Sequence, residues 1–190
     1  MLNFLLPQNG SLSKLMIENG VYDFKSAIAY VHQLPYGRTS DRSAYRLIIP
    51  EQKGTCSTKH AFLKQLAVES QQETVQLFIG IYQMNESNTK GVGTILKQHQ
   101  LEYIPEAHTY LKINGKVLDV TRASTNTTSF QNCILAEEEI LPHQIATHKV
   151  DVHQNFLKQW ISEKQISYSF EEIWKIREEC IAALSASLPH

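Results

Sequence analysis

The chain has 190 residues, 42% of them apolar and 19% charged, with a formal net charge of -1. That length buries one sizeable core without disulfides or metals, and the composition excludes disordered and collagen-like chains. The 18 basic residues are scattered among 19 acidic ones, which argues against a nucleic-acid surface. Cys56, Cys133 and Cys180 are odd in number and widely spaced, so neither a disulfide framework nor a CxxC metal site is expected. MLNFLLPQNG lacks a basic start and a secretory apolar run, and no stretch approaches the ~20 residues of a membrane span. These features predict a cytoplasmic protein with no membrane or nucleic-acid partner and no required cofactor.

Asp23 opens a helical pattern, DFKSAIAYVHQL, that Pro35 and Gly37 end. A polar loop with Arg38 and Arg42 follows, then a strand-like AYRLIIP. After Gly54, Thr55 is a candidate N-cap for CSTKHAFLKQLAVES, whose Phe62, Leu63, Leu66 and Ala67 predict an amphipathic helix starting at or beside Cys56. ETVQLFIGIYQM reads as a strand and TILKQHQL as a short helix. IPEAHTYLKINGKVLDVT reads as a hairpin, because Asn114-Gly115 suits a turn that needs positive φ at both central positions. FQNCILAEEEI adds a further strand; helices follow over HQIATHKVDVHQNFLKQWISEK and from Ser169, whose spacing to Glu172 is that of a capping box, to about Leu184.

A two-residue turn at Asn114-Gly115 places Ile113 opposite Lys116, and continuing outward it pairs Tyr110 with Asp119 and His108 with Thr121. His108, Tyr110 and Asp119 then share a face, with His108 and Asp119 as diagonal neighbours ~7–8 Å apart. A carboxylate on one ring nitrogen fixes the imidazole tautomer and leaves the other nitrogen for a nucleophile. Cys56 suits that role, since a helix N-terminus and a nearby imidazolium both favour the thiolate, and unpaired N–H groups at the helix start can bind an oxyanion.

KGTCSTKH followed by EAHTYLKINGKVLDVT resembles the transglutaminase-like superfamily of papain-type thiol enzymes, over roughly Gly54 to Thr121. The resemblance implies Cys56 as nucleophile, His108 as general base and acid, and Asp119 as the residue that orients His108. It also implies an α+β fold in which the nucleophile helix packs on an antiparallel sheet, with extra N- and C-terminal helices. The expected organisation is one domain, with its core at about residues 40–140 and a helical segment at about 141–187. The expected activity is hydrolysis or transfer at an amide, ester or thioester carbonyl of a small-molecule or peptide substrate. No upstream Gln or Trp is an obvious oxyanion donor, and Gln52 is a candidate on proximity alone. That gap keeps a non-catalytic binding module with the same fold as the alternative reading.

Other residues carry less. His60 lies four residues after Cys56 and is the rival base, set against a packing role. Arg38, Arg42 and Tyr110 are candidate substrate contacts. His143, His148 and His153 are spaced by five, which spreads them around a helix and predicts no zinc site. Cys133 and Cys180 read as inert apolar thiols, and Phe156, Trp160, Phe170 and Trp174 as packing for the C-terminal helices.

Overall fold

The computed structural model describes residues 2–122 and 130–186. In chain order they form α1 (Ser11–Glu18), α2 (Phe24–Gln33), α3 (Cys56–Glu69), β1 (Val75–Met84), α4 (Gly93–Gln98), β2 (Ile104–Ile113), β3 (Lys116–Leu118), β4 (Ile134–Ile140), α5 (Thr147–Glu163) and α6 (Phe170–Ala186). Short 3-10 turns lie at Tyr45–Ile48, Phe130–Cys133 and Pro142–Ile145. The strands make one antiparallel sheet in the order β3-β2-β1-β4, giving the α+β class expected from the sequence.

Local chemistry accounts for most element boundaries. Asp23 caps α2 by accepting from the Ser26 N–H at 3.0 Å. Asn114 and Gly115 have φ of 49° and 75°, as a tight hairpin turn demands, and the β2-β3 ladder pairs Ile113 with Lys116 and Leu111 with Leu118. Ser169 and Glu172 form the expected capping box before α6.

Two expectations fail. AYRLIIP is a 3-10 turn rather than a strand: Asp41 accepts from the Ser43 N–H and hydroxyl at 2.8 and 2.7 Å, curling the chain just before it, and Ile48 and Ile49 are buried. Short apolar runs do not separate strand from helix by pattern alone. The other is α3, which is not amphipathic: Cys56 through Leu63, together with Leu66 and Ala67, is buried on every side. The elements packed on it explain this, since α1, α2 and the 3-10 turns at Tyr45–Ile48 and Pro142–Ile145 all contact α3.

The described residues gather into two compact units. The first comprises residues 2–79, 108–122 and 138–149, with α3 at its centre. Its α1 lacks a capping side chain of its own; Glu69, at the far end of α3, accepts from the Leu12 and Ser13 N–H groups at 3.0 and 2.8 Å.

The second unit comprises residues 80–107, 130–137 and 150–186. Its core joins Tyr82, Met84, Leu96, Ile104, Leu157, Trp160, Ile173, Ile176, Cys180 and Leu184, with Phe156, Phe170 and Trp174 packed against it. The aromatic residues and Cys180 therefore serve as core, as expected, and burial pushes the Cys180 thiol up to about 11. One charged pair penetrates this unit: Arg177 grips Glu106 with two bonds of 2.7 and 2.6 Å. Removing one member of a buried pair strands the other charge, whereas removing both does not. Arg177→Ala should lower the unfolding free energy in urea by about 3–5 kcal/mol, and the double variant Glu106→Leu/Arg177→Met by much less.

Candidate active site

The chain reaches α3 through Gly54, whose N–H donates to Pro35 O at 3.0 Å and whose carbonyl accepts from the Gly37 N–H at 3.2 Å. A Cβ there would come within 2.9 Å of Lys59 Cγ and 3.0 Å of Ile48 Cγ2, so only glycine permits this approach. Thr55 then caps the helix, with Thr58 Oγ1 accepting from the Thr55 N–H at 2.9 Å and Thr55 Oγ1 from the Thr58 N–H at 3.4 Å. Cys56 is consequently the first helical residue, 9% exposed, with its thiol over the positive end of the helix.

His108 Nε2 donates to Asp119 Oδ2 at 2.8 Å. Its side chain is 14% exposed and that of Asp119 29%. The thiol of Cys56 hydrogen-bonds the His108 ring, and with Nε2 committed to Asp119 the nitrogen facing sulfur is Nδ1. The three residues singled out in the sequence are thus adjacent and in relay order. The expected register holds only in part: β3 stops at Leu118, so Tyr110 and His108 have no ladder partners in Asp119 and Thr121.

What holds Asp119 instead is α3. Val120 N–H donates to His60 Nε2 at 2.9 Å, and His60 Nδ1 donates to Cys56 O at 2.7 Å. Both ring nitrogens of His60 are occupied, which fixes its neutral tautomer; burial pulls its pKa down to about 4 against the opposing pull of Asp119. His60 therefore braces the Cys56 turn of α3 against the backbone beside Asp119. Lys59 is fully buried, and its Nζ donates to Leu34 O, Val120 O and Thr121 O at 2.6, 3.3 and 3.0 Å. Three carbonyls match the three N–H groups of an ammonium, although burial draws its pKa down to about 8. Asp119 itself accepts from the Thr121 N–H at 2.9 Å through Oδ1.

A further cation reaches the thiol. Lys149, near the start of α5, places Nζ 3.5 Å from Cys56 Sγ and donates to Ser57 Oγ at 2.9 Å; Ser57 Oγ in turn lies 3.3 Å from Thr109 Oγ1. Burial alone would raise the Cys56 thiol pKa. Lys149, the hydrogen bond and charge of His108, and the Thr109 backbone N–H outweigh burial and bring it down to about 5. Burial likewise disfavours the His108 cation, but Asp119 and Cys56 raise its pKa to about 10. Asp119 is held far below the usual carboxylate range, the His108 cation outweighing burial. These opposed shifts, the thiol down and the imidazole up, favour a thiolate–imidazolium pair backed by a carboxylate at neutral pH.

Other candidates lie elsewhere or are otherwise engaged. Gln52 Nε2 donates to Ile49 O at 2.6 Å and Tyr30 Oη at 3.0 Å, so both amide hydrogens are engaged. Tyr110 is fully buried, stacked between His108 and Phe78 with ring centroids 6.0 and 6.2 Å away. Its ring stacks on the His108 imidazole from within the core. Arg38 and Arg42 are exposed in the loop after α2. His148 pairs with Glu138 at 2.7 Å and His153 donates to Pro105 O at 2.8 Å; among the described residues no three His, Cys, Asp or Glu side chains converge as a metal site. A cavity of about 300 Å3 bordered by Ser11, Tyr45, Arg46 and Gln65 includes none of the Cys56, His108 and Asp119 set.

Sequence reasoning missed Lys59 and Lys149. Lys59 carried no signal in the apolar spacing, which predicted an exposed face for this helix. Lys149 lies 93 residues from Cys56 and carried none. None of the protein-family models, curated proteins or solved structures compared with the chain matches it. Among the described residues, no helix is long and apolar enough to cross a membrane.

The thiol acidity gives a direct expectation. Alkylation of Cys56 by iodoacetamide should rise through about pH 5 and stay flat across neutral pH, instead of rising through the range of a free thiol near 8.5. His108→Ala should move that rise upward by at least about one pH unit, with roughly tenfold slower alkylation at the acid end. A wild-type profile centred near 8.5 would contradict the thiolate–imidazolium pair.

Proposed function

We propose that the protein is a cysteine-dependent acyl-chemistry enzyme of papain or transglutaminase-like type, acting by hydrolysis or transfer on an amide, ester or thioester carbonyl. The observation that carries this reading is the relay from Cys56 Sγ through His108 to Asp119, with 2.8 Å between His108 Nε2 and the carboxylate. A buried helix that starts at a low-pKa cysteine, beside a β-hairpin that carries the histidine, supports the papain-like reading of the α+β fold.

The chemistry follows from the protonation states. The thiolate attacks the carbonyl carbon, forming the C–S bond as the carbonyl π pair moves onto oxygen. As that oxyanion collapses, the imidazolium gives its Nδ1 proton to the departing amine, alcohol or thiol, leaving a Cys56 thioester and neutral His108. His108 then takes a proton from the incoming water or amine, and a second collapse restores the thiolate–imidazolium pair. Asp119 keeps its bond to Nε2 throughout and steadies the ring whenever it is cationic. The proposed substrate is a small molecule or peptide acyl donor in a cytoplasmic setting.

The committed amide of Gln52 favours one competing reading, a binding module that keeps the fold without turnover. The two separate cleanly. Wild type should release 4-nitrophenolate from 4-nitrophenyl acetate with a burst of one equivalent, Cys56→Ser should abolish the burst, and His108→Ala should slow it about 10²–10⁴-fold. Absence of a Cys56-dependent burst would establish the binding module instead.

A further inference from the structure

The proposed reaction develops negative charge at two places in turn, first on sulfur and then on the carbonyl oxygen. Preorganised donors aimed at the oxyanion are commonly the largest single contribution in such sites. α3 begins at Cys56, so the N–H groups of its first turn are one source of donors for that oxygen. The candidate that sequence proximity offers for the other side, Gln52, has its amide on Ile49 O and Tyr30 Oη.

Lys149 occupies the complementary position. The partners of its Nζ among the described residues are Cys56 Sγ at 3.5 Å and Ser57 Oγ at 2.9 Å, both on α3 and neither a carboxylate. Glu138, on the strand before α5, pairs with His148 at 2.7 Å. A half-buried ammonium aimed at a nucleophile and left without a carboxylate is poorly explained as a structural ion pair. Ser57 explains how it is aimed, because its hydroxyl is fixed between Lys149 and Thr109 Oγ1 and so acts as a bracket for Nζ.

We propose that the Lys149 ammonium is the electrophilic donor of this site, pairing with the Cys56 thiolate at rest and hydrogen-bonding the oxyanion after attack, with Ser57 as its positioning residue. The inference rests on the thiol-acyl reading. The oxyanion is two bonds from Sγ, so a donor 3.5 Å from sulfur needs only a small side-chain adjustment to reach the ~3 Å of an oxyanion contact. When the thioester forms, sulfur loses its charge and the ammonium loses its resting partner, which leaves it directed at the acyl carbonyl for the second step. No proton leaves Nζ in either step; His108 carries all proton transfer. The site has two further charges near sulfur, Lys59 and Asp119, but Lys59 is bound to three carbonyls and Asp119 faces Nε2, so neither can take this role.

The test uses two reactions of the same thiolate, each rate taken from the ionised plateau of that variant's own pH profile. Iodoacetamide alkylation makes no oxyanion; acylation by 4-nitrophenyl acetate does, and Cys56→Ser supplies the background. Lys149→Met should slow acylation about 10²-fold while changing alkylation less than about threefold, and Lys149→Arg should recover most of the loss. Ser57→Ala, which keeps the ammonium and loosens it, should slow acylation about 3- to 10-fold with alkylation unchanged. Parallel loss of both reactions in Lys149→Met, or loss of neither, overturns the proposal. Wild type that is alkylated but never acylated at Cys56 overturns the thiol-acyl reading and this inference together.

Discussion

The arrangement of the site depends on how α3 grips the three residues after β3. The ladder ends at Leu118, so no strand partner fixes Asp119. His60 accepts the Val120 N–H, and Lys59 donates to the carbonyls of Val120 and Thr121. Consecutive residues of one helix thereby seize both the donor and the acceptor side of a short stretch of backbone. The Asp119 carboxylate is located relative to the Cys56 thiol because both are referred to the same turn of helix. Buried polar groups that are fully satisfied rigidify a core, and this is such a network.

The grip also explains why a helix so rich in polar residues is buried. Ser57, Thr58, Lys59 and His60 are all buried, which would be costly if their polar atoms lacked partners. Each has one: Thr109 and Lys149 for Ser57, Thr55 for Thr58, three carbonyls for Lys59, and Cys56 O with the Val120 N–H for His60. Polar content in CSTKH is what the segment needs to be central, and it concealed the helix's depth from a reading based on apolar spacing.

Features set by nearby residues were legible in the sequence. Asp23, Thr55, Asn114-Gly115 and Ser169 act within four residues of themselves, and each does what its type and spacing suggest. The turn predicted His108 near Asp119, and they are hydrogen-bonded, but α3 rather than a continued ladder holds Asp119 there. Features set at a distance were not legible. The cap of α1 comes from Glu69, the brace on Asp119 from α3, and the cation on Cys56 from α5. AYRLIIP failed for a related reason, since its apolar residues are satisfied by burial in a turn as well as in a strand. Tyr110 shared the predicted face with His108, but that face proved to be covered.

The acidity of Cys56 has a consequence for how the chain's folding can be watched. Its helix cap is local, but its pKa is also lowered by Lys149, 93 residues on, and by His108 and Thr109, some fifty residues on. An unfolded or partly docked chain lacks all three, and its thiol reverts to that of an ordinary cysteine. Ionisation of a single native sulfur therefore reports whether α3, β2 and the start of α5 have come together, with no label or added chromophore beyond the thiolate itself.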